Sequence, residues 1–251
     1  MIMNSFGKVL KVLQMSIGGC LLLGATSSCG ASCPITVPGE TSKASLQNAM
    51  EYIERTYLSA CDVKKSFQIV YGDPCKARVV LILFTSLDCP VCAELHSSLF
   101  PALHKILNQY PQNFSIIERD YPANALSLKG SSMLWSVPED LMKKIRDVLL
   151  RAPWIKETEE DTLKNLMHIA QSVCVEDKHK KALEGAVEDK SLLSSLFEAR
   201  QRDKEALGIS EVPSAWLFIR NKKGLSEMIA LPDINNPETE KIIQEKLTSP
   251  H

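Results

Sequence analysis

An unbroken apolar run, Val79-Val80-Leu81-Ile82-Leu83-Phe84, passes through Thr85-Ser86-Leu87-Asp88 straight into Cys89-Pro90-Val91-Cys92. The run has the length of a strand, and behind the cysteines Leu95, Leu99, Leu103, Ile106 and Leu107 recur at helical spacing. The order is therefore strand, tight turn, helix, and the rest of the chain has to be arranged around it.

That order puts Cys89 at the first turn of a helix. Unpaired backbone N–H groups and the positive end of the helix dipole favour a thiolate there. Cys92 lies three residues on, on the same face and one turn deeper, within reach of a mixed disulfide formed at Cys89. Pro90 suits the first helical position because its ring fixes φ and it lacks an N–H that would be orphaned there. The motif thus reads as a dithiol switch. A structural zinc site would need a second cysteine pair at about 12 to 20 residues, and none follows. His96 and His104 do not complete one, because Cys89, Cys92, His96 and His104 span about four turns of one helix, too long for one tetrahedral ion. Both histidines read as surface or half-buried helix residues, and a disulfide across so small a ring would add little stability.

With 251 residues, 45% of them apolar and 24% charged, the chain can bury a full core and is not of the disordered class. A net charge of −1 with mixed signs along the chain gives nucleic acid no reason to bind. The first thirty residues read as an export signal: Lys8 and Lys11 are its positive part, residues 12–25 its apolar part, and residues 26–32 its small-residue cleavage region. The apolar part, about 14 residues, is too short to span a bilayer comfortably. Small residues lead up to both Cys20 and Cys29, so lipid attachment after cleavage is an open alternative that would tether the protein to a membrane without a span.

Eight cysteines suit the oxidising compartment that export implies. Three lie in or beside the signal. Cys61 and Cys75 flank a short segment, residues 67–72, with the look of an edge strand, and are expected to form a structural disulfide. Cys174 is either a small buried hydrophobe or a partner for Cys33.

Leu46, Met50, Ile53 and Tyr57 mark an amphipathic helix over residues 41–58. Residues 67–71 alternate as a strand and stop at Gly72-Asp73-Pro74. After the central strand and its helix, which Pro101 should kink, residues 114–119 form the next strand, parallel to the central one by the crossover rule. From about residue 123 to 206 the pattern is helical only, with apolar stripes over 126–135, 139–150, 158–173, 178–184 and 192–207. Strands return at 215–219 and 226–231. A last helix is announced by Asn236 as cap, Pro237 at its first position and Glu238 in its first turn.

Strand, C-x-x-C, Pro-kinked helix, strand, and a later Val212-Pro213 leading into a hairpin and last helix is the layout of a thioredoxin-like fold. Gly72-Asp73-Pro74, Cys89-Pro90-Val91-Cys92, Arg119-Asp120-Tyr121-Pro122 with Ala125-Leu126-Ser127-Leu128-Lys129, and residues 207–214 together resemble the DsbA family of exported thiol-disulfide oxidoreductases, over roughly residues 67–247. The resemblance implies an α/β chain, a thioredoxin-like fold with an inserted all-helical domain. The expected divisions are a signal over 1–31, a helical segment over 32–65, a first thioredoxin-like part over 66–122, the insertion over 123–206 and a second part over 207–251. It also implies a cis peptide at Val212-Pro213 facing the Cys89 sulfur, where the Val212 backbone would pair with an extended client peptide.

Three departures from the family pattern stand out. Relatives usually carry Pro-His between the cysteines, whereas Val91 can neither donate a hydrogen bond nor bring charge toward Cys89. Asp88 adds a negative charge that opposes a Cys89 thiolate. Many relatives also hold a buried glutamate six residues before the first cysteine; here that position is Leu83, and only Glu94 offers itself as a nearby carboxylate. A strongly oxidising pair is one whose reduced form is stabilised, so Asp88, Pro90 and Val91 set a mild oxidant.

The expected activity is introduction of disulfides into exported, cysteine-containing client proteins, with Cys89 as nucleophile and Cys92 as resolving thiol. The resemblance adds a DsbB-like membrane quinone oxidoreductase for reoxidation, a periplasmic location and a monomer. No metal or organic cofactor is required. Two rivals share the features: a disulfide reductase on the same fold, and a non-enzymatic metal-binding or chaperone module. Isomerases of the DsbC or DsbG kind carry a dimerisation domain for which residues 32–65 are too few.

Overall fold

A computed structural model describes residues 43–58, 67–152, 155, 158–221, 224–231, 234, 236 and 238–249. The expected signal, its cleavage region and Cys61 lie outside the described residues.

The apolar run becomes β2 (Val79–Thr85), every residue of which is buried. It lies at the middle of a five-stranded sheet with β1 (Gln68–Tyr71), β3 (Phe114–Asp120), β4 (Ser214–Asn221) and β5 (Gly224–Leu231), in the order β1-β3-β2-β4-β5. β2 and β3 run parallel, as the crossover rule requires, and the other neighbours are antiparallel. Gly72 ends β1 at φ +84, a conformation open to glycine without strain, and a Cβ there would meet the Phe114 carbonyl oxygen at 2.9 Å.

Alternation along the strands sends side chains to two cores. Val79, Leu81, Leu83, Phe114, Ile116, Ala215 and Leu217 face three helices: α2 (Pro90–Ser98), α3 (Phe100–Gln109) and α9 (Glu238–Thr248). Val80, Ile82, Phe84, Ile117 and Phe218 face the other way, onto Ala49 and Ile53 of α1 (Lys43–Ile53) and Tyr57 and Leu58 of the π-helical turn Glu54–Leu58 that closes it. The helical pattern of residues 41–58 thus resolves into an α-helix and one wider turn. The Pro101 kink is a full break at Leu99, which caps α2 and opens α3. Asn236 caps α9 as expected, its side chain accepting from the Glu238 N–H.

The helix-only stretch forms α4 (Ala125–Trp135), α5 (Glu139–Arg151), α6 (Glu159–Ser172), α7 (Asp177–Ala186) and α8 (Lys190–Leu207). Met133, Leu134, Met142, Ile145, Leu149, Leu166, Ala170 and Leu183 give it a core of its own, joined to the sheet side by Ile69 and Leu87. Cys174 sits in that core as a free thiol, donating to the Ala170 carbonyl at 3.6 Å, which answers for the small-hydrophobe alternative. Cys75 is disulfide-bonded. Among the described residues no helix is long and apolar enough to cross a membrane.

Candidate active site

At the carboxyl end of β2 the chain turns through Ser86-Leu87-Asp88 and enters α2 at Cys89, whose side chain is the helix cap: the Cys92 N–H donates to Cys89 Sγ at 3.1 Å. Pro90 occupies the first helical position, as its missing N–H allows. Cys89 is half-buried and Cys92 fully buried. Both are free thiols, so the arrangement is that of the reduced dithiol. Burial, then the hydrogen bond from Cys89, push the Cys92 thiol well above its ordinary range; the Ser86 backbone and the Arg146 guanidinium offset only part of this.

β4 delivers the second half of the site. The Val212-Pro213 peptide bond is cis and directly precedes β4, which pairs with β2 down to Phe84 opposite Ser214. That pairing lays Val212 beside the turn, its carbonyl oxygen 3.5 Å from Cys89 Sγ. Val212 and Pro213, 123 residues or more from Cys89 in sequence, are thus brought to it by the sheet. Val91, on the outer side of α2, is 46% exposed, so the site opens beside an apolar side chain.

Asp88 is held rather than loose. Its carboxylate accepts from Ser86 Oγ and from the Asn124 side-chain amide, and Ser86 Oγ in turn accepts from the Ala123 N–H. Asn124 is also the cap of α4, in a capping box with Ser127. The active-site turn is therefore fastened to the first helix of the insertion, and the negative charge next to Cys89 is fixed in place by two donors.

The absence of a glutamate at position 83 has a structural answer that the sequence did not disclose. β3 runs in register with β2 so that Glu118 lies directly across from Leu83, on the same face and about 4.8 Å away in strand spacing. Glu118 is buried, and its Oε1 meets Arg146 Nη2 and His96 Nε2, each at 2.5 Å, and Thr85 Oγ1 at 3.2 Å. Burial by itself would raise this carboxyl, but Arg146 and then His96 outweigh it and hold it down at about 2. Glu94, the carboxylate suggested by proximity in sequence, is exposed, its backbone carbonyl accepting from Ser97 and Ser98. Linear nearness misleads here because α2 turns position 94 outward. The available signal was the triplet Glu118-Arg119-Asp120 closing a strand that is otherwise uncharged: charged side chains on a buried strand need partners. Among the described residues no group of three or more His, Cys, Asp or Glu is arranged to hold a metal ion.

With this geometry in place, comparison with known proteins adds the lineage. The thioredoxin family model matches residues 64–227. No curated protein sequence matches the chain. Among solved structures it is similar to Wolbachia pipientis alpha-DsbA1, with a TM-score of 0.62 and 19% identity over 77% of this chain and 95% of that one. It is similar to a protein-disulfide isomerase of Novosphingobium aromaticivorans, with a TM-score of 0.54 and 15% identity over 73% and 99%. Proteus mirabilis ScsC in a transitional conformation matches with a TM-score of 0.53 and 19% identity over 81% and 80%. At these identities the likeness is one of fold.

Proposed function

The chain belongs to the thioredoxin family and has the fold of DsbA-type proteins, and from that premise we propose that it is a thiol-disulfide oxidoreductase, an exported, mild oxidase of cysteine-containing client proteins. The observation that carries the reading is the setting of Cys89 Sγ, between the Cys92 N–H on one side and the Val212 carbonyl on the other.

In the oxidised enzyme a client thiolate attacks Cys89 Sγ. The Cys89–Cys92 bond breaks, its electron pair goes to Cys92 Sγ, and Cys92 takes up a proton. A second client thiolate then attacks the client sulfur of the mixed disulfide, the client leaves with a disulfide, and Cys89 leaves as thiolate; two electrons have passed from client to enzyme. Recharging reverses the roles. Cys89 attacks a disulfide of a membrane quinone oxidoreductase of the DsbB type, and Cys92, having lost its proton, resolves that mixed disulfide. Val212 and Pro213 are the place for the client backbone, which would pair in extended form beside β4. Pro90, Val91 and Asp88 set how oxidising the pair is, and the valine and the carboxylate both favour the mild end.

Equilibrium titration of Cys89-Cys92 against glutathione buffers tests this reading. A reduction potential well above about −270 mV, near −200 mV or higher, is the expected result for a client oxidase. A value at or below that of thioredoxin would make the protein a reductase on the same fold, and absence of a reversible two-electron transition would remove the redox reading altogether.

A further inference from the structure

Cys92 is fully buried, yet each turnover of the proposed exchange requires its sulfur to gain a proton once and lose it once. Glu118, the buried carboxylate across the sheet, is poorly suited to carry it. Paired with Arg146 and His96 and held at about 2, it stays an anion across the neutral range. Asp120 is the other buried carboxylate. Burial raises it, but it sits at the end of β3 with Trp135 Nε1 donating to its Oδ2 at 3.0 Å.

His96 differs from both. It lies on α2 four residues after Cys92, a spacing that sets two side chains on the same helix face with Cβ atoms about 5–6 Å apart. Its ring is fixed on two sides: Nε2 is bonded to Glu118 Oε1 at 2.5 Å, and the face stacks on Phe100 at 4.1 Å between centroids. The remaining 10% of its side-chain surface opens to a pocket of about 180 Å³ between α2, α3 and α5, walled also by Tyr71, Phe100, His104, Lys143 and Arg146. That volume admits water. Further charges around the pocket are Asp147 and Arg151, which pair with each other, and Lys143 pairs with Glu139. The charges on the outer wall of the pocket are therefore matched, and in its floor Glu118 is shared between Arg146 and His96.

We propose that the buried Cys92 exchanges its proton with solvent through His96, the pocket between α2, α3 and α5 being the path. This rests on the dithiol reading above. When Cys92 resolves a mixed disulfide, the proton of its thiol passes to the imidazole. Cys92 Sγ forms a bond to Cys89 Sγ, the bond from Cys89 Sγ to the outside sulfur breaks, and that sulfur leaves with the electron pair. His96 then releases the proton into the pocket. In the forward oxidation the same imidazolium protonates Cys92 as it leaves. An imidazole can serve in both directions, as general base and as general acid.

The test uses the reduced protein and 5,5′-dithiobis(2-nitrobenzoate). Attack by Cys89 releases one thionitrobenzoate and resolution by Cys92 a second, so two phases report the two cysteines separately. In His96→Ala the second phase is expected to slow by about tenfold or more. Added imidazole, which the pocket can admit, should restore the rate with saturation. His104→Ala, which alters the same pocket without touching Glu118, should keep the unmodified rate. A second phase of unchanged rate in His96→Ala overturns the proposal. So does an effect of His96→Ala that imidazole leaves in place, or an unslowed second phase in His96→Gln, which keeps a donor to Glu118. Failure of the first phase would instead strike the dithiol reading itself.

Discussion

Val91 is the residue at which the character of the dithiol is most open to change. It lies in the first turn of α2, half exposed and two positions after the helix cap, where a cation would act on a Cys89 thiolate together with the helix dipole. Val91→His should stabilise the reduced form and raise the reduction potential by about 30 mV or more, equivalent to about 1.4 kcal/mol for a two-electron couple. Titration against glutathione reads it directly; an unchanged or lower potential would show that position 91 does not tune the pair. At the same scale, Glu118 links the site to pH. Its folded value of about 2 lies below the ordinary 4.5, so its contribution to stability is complete above about pH 4.5 and is lost as pH falls from there toward 2. Acid unfolding followed by circular dichroism should show that loss, and Glu118→Gln should be less stable at neutral pH and flatter across this window.

At the scale of elements, the register between β2 and β3 does most to shape the site. It sets Glu118 opposite Leu83 and brings Arg146 of α5 onto the sheet. Glu118→Leu leaves Arg146 buried without its charge partner and should cost about 3–5 kcal/mol in urea denaturation, whereas Glu118→Leu combined with Arg146→Met should recover much of it. Equal losses in single and double variants would mean that packing, not charge pairing, holds the place. The turn leaving β1 is similarly constrained. Gly72→Ala would force a Cβ to 2.9 Å from the Phe114 carbonyl oxygen at a positive φ and should destabilise by about 1–3 kcal/mol, read as a lower urea midpoint at unchanged slope.

Across the whole molecule, Asp203 ties the start of the described chain to the last helix of the insertion. Its carboxylate on α8 receives the hydroxyls of Tyr52 and Tyr57 from the α1 segment and pairs with Arg119 Nε of β3 at 2.7 Å. All of this is buried or nearly so, which makes an unpaired survivor costly. Asp203→Ala should lower global stability by about 3–5 kcal/mol, and hydrogen exchange should rise first over residues 43–58, where packing depends on that carboxylate. Uniform exchange across the sheet and α1 would rule out a local role. The insertion is fastened comparably at its other end, where Asn124 reaches Asp88 from the cap of α4, so the helical domain touches the residue next to the nucleophile.

What the linear chain determines is what neighbours in sequence can decide. An apolar run, a C-x-x-C with proline at the first helical position, Pro101 in a helical pattern and five apolar stripes in succession specify elements and their order, because periodicity and capping are local. They placed β1 through β5, a kink near Pro101 and Cys89 at the first turn of its helix. Only tertiary structure decided that a carbonyl 123 positions away would lie 3.5 Å from Cys89 Sγ. It alone set Glu118, not Glu94, as the buried carboxylate and gave His96 a pocket one helical turn from Cys92. Those facts rest on strand register and on which helix face meets the sheet. Both are settled by packing side chains from distant segments into one core, and no window of sequence contains them.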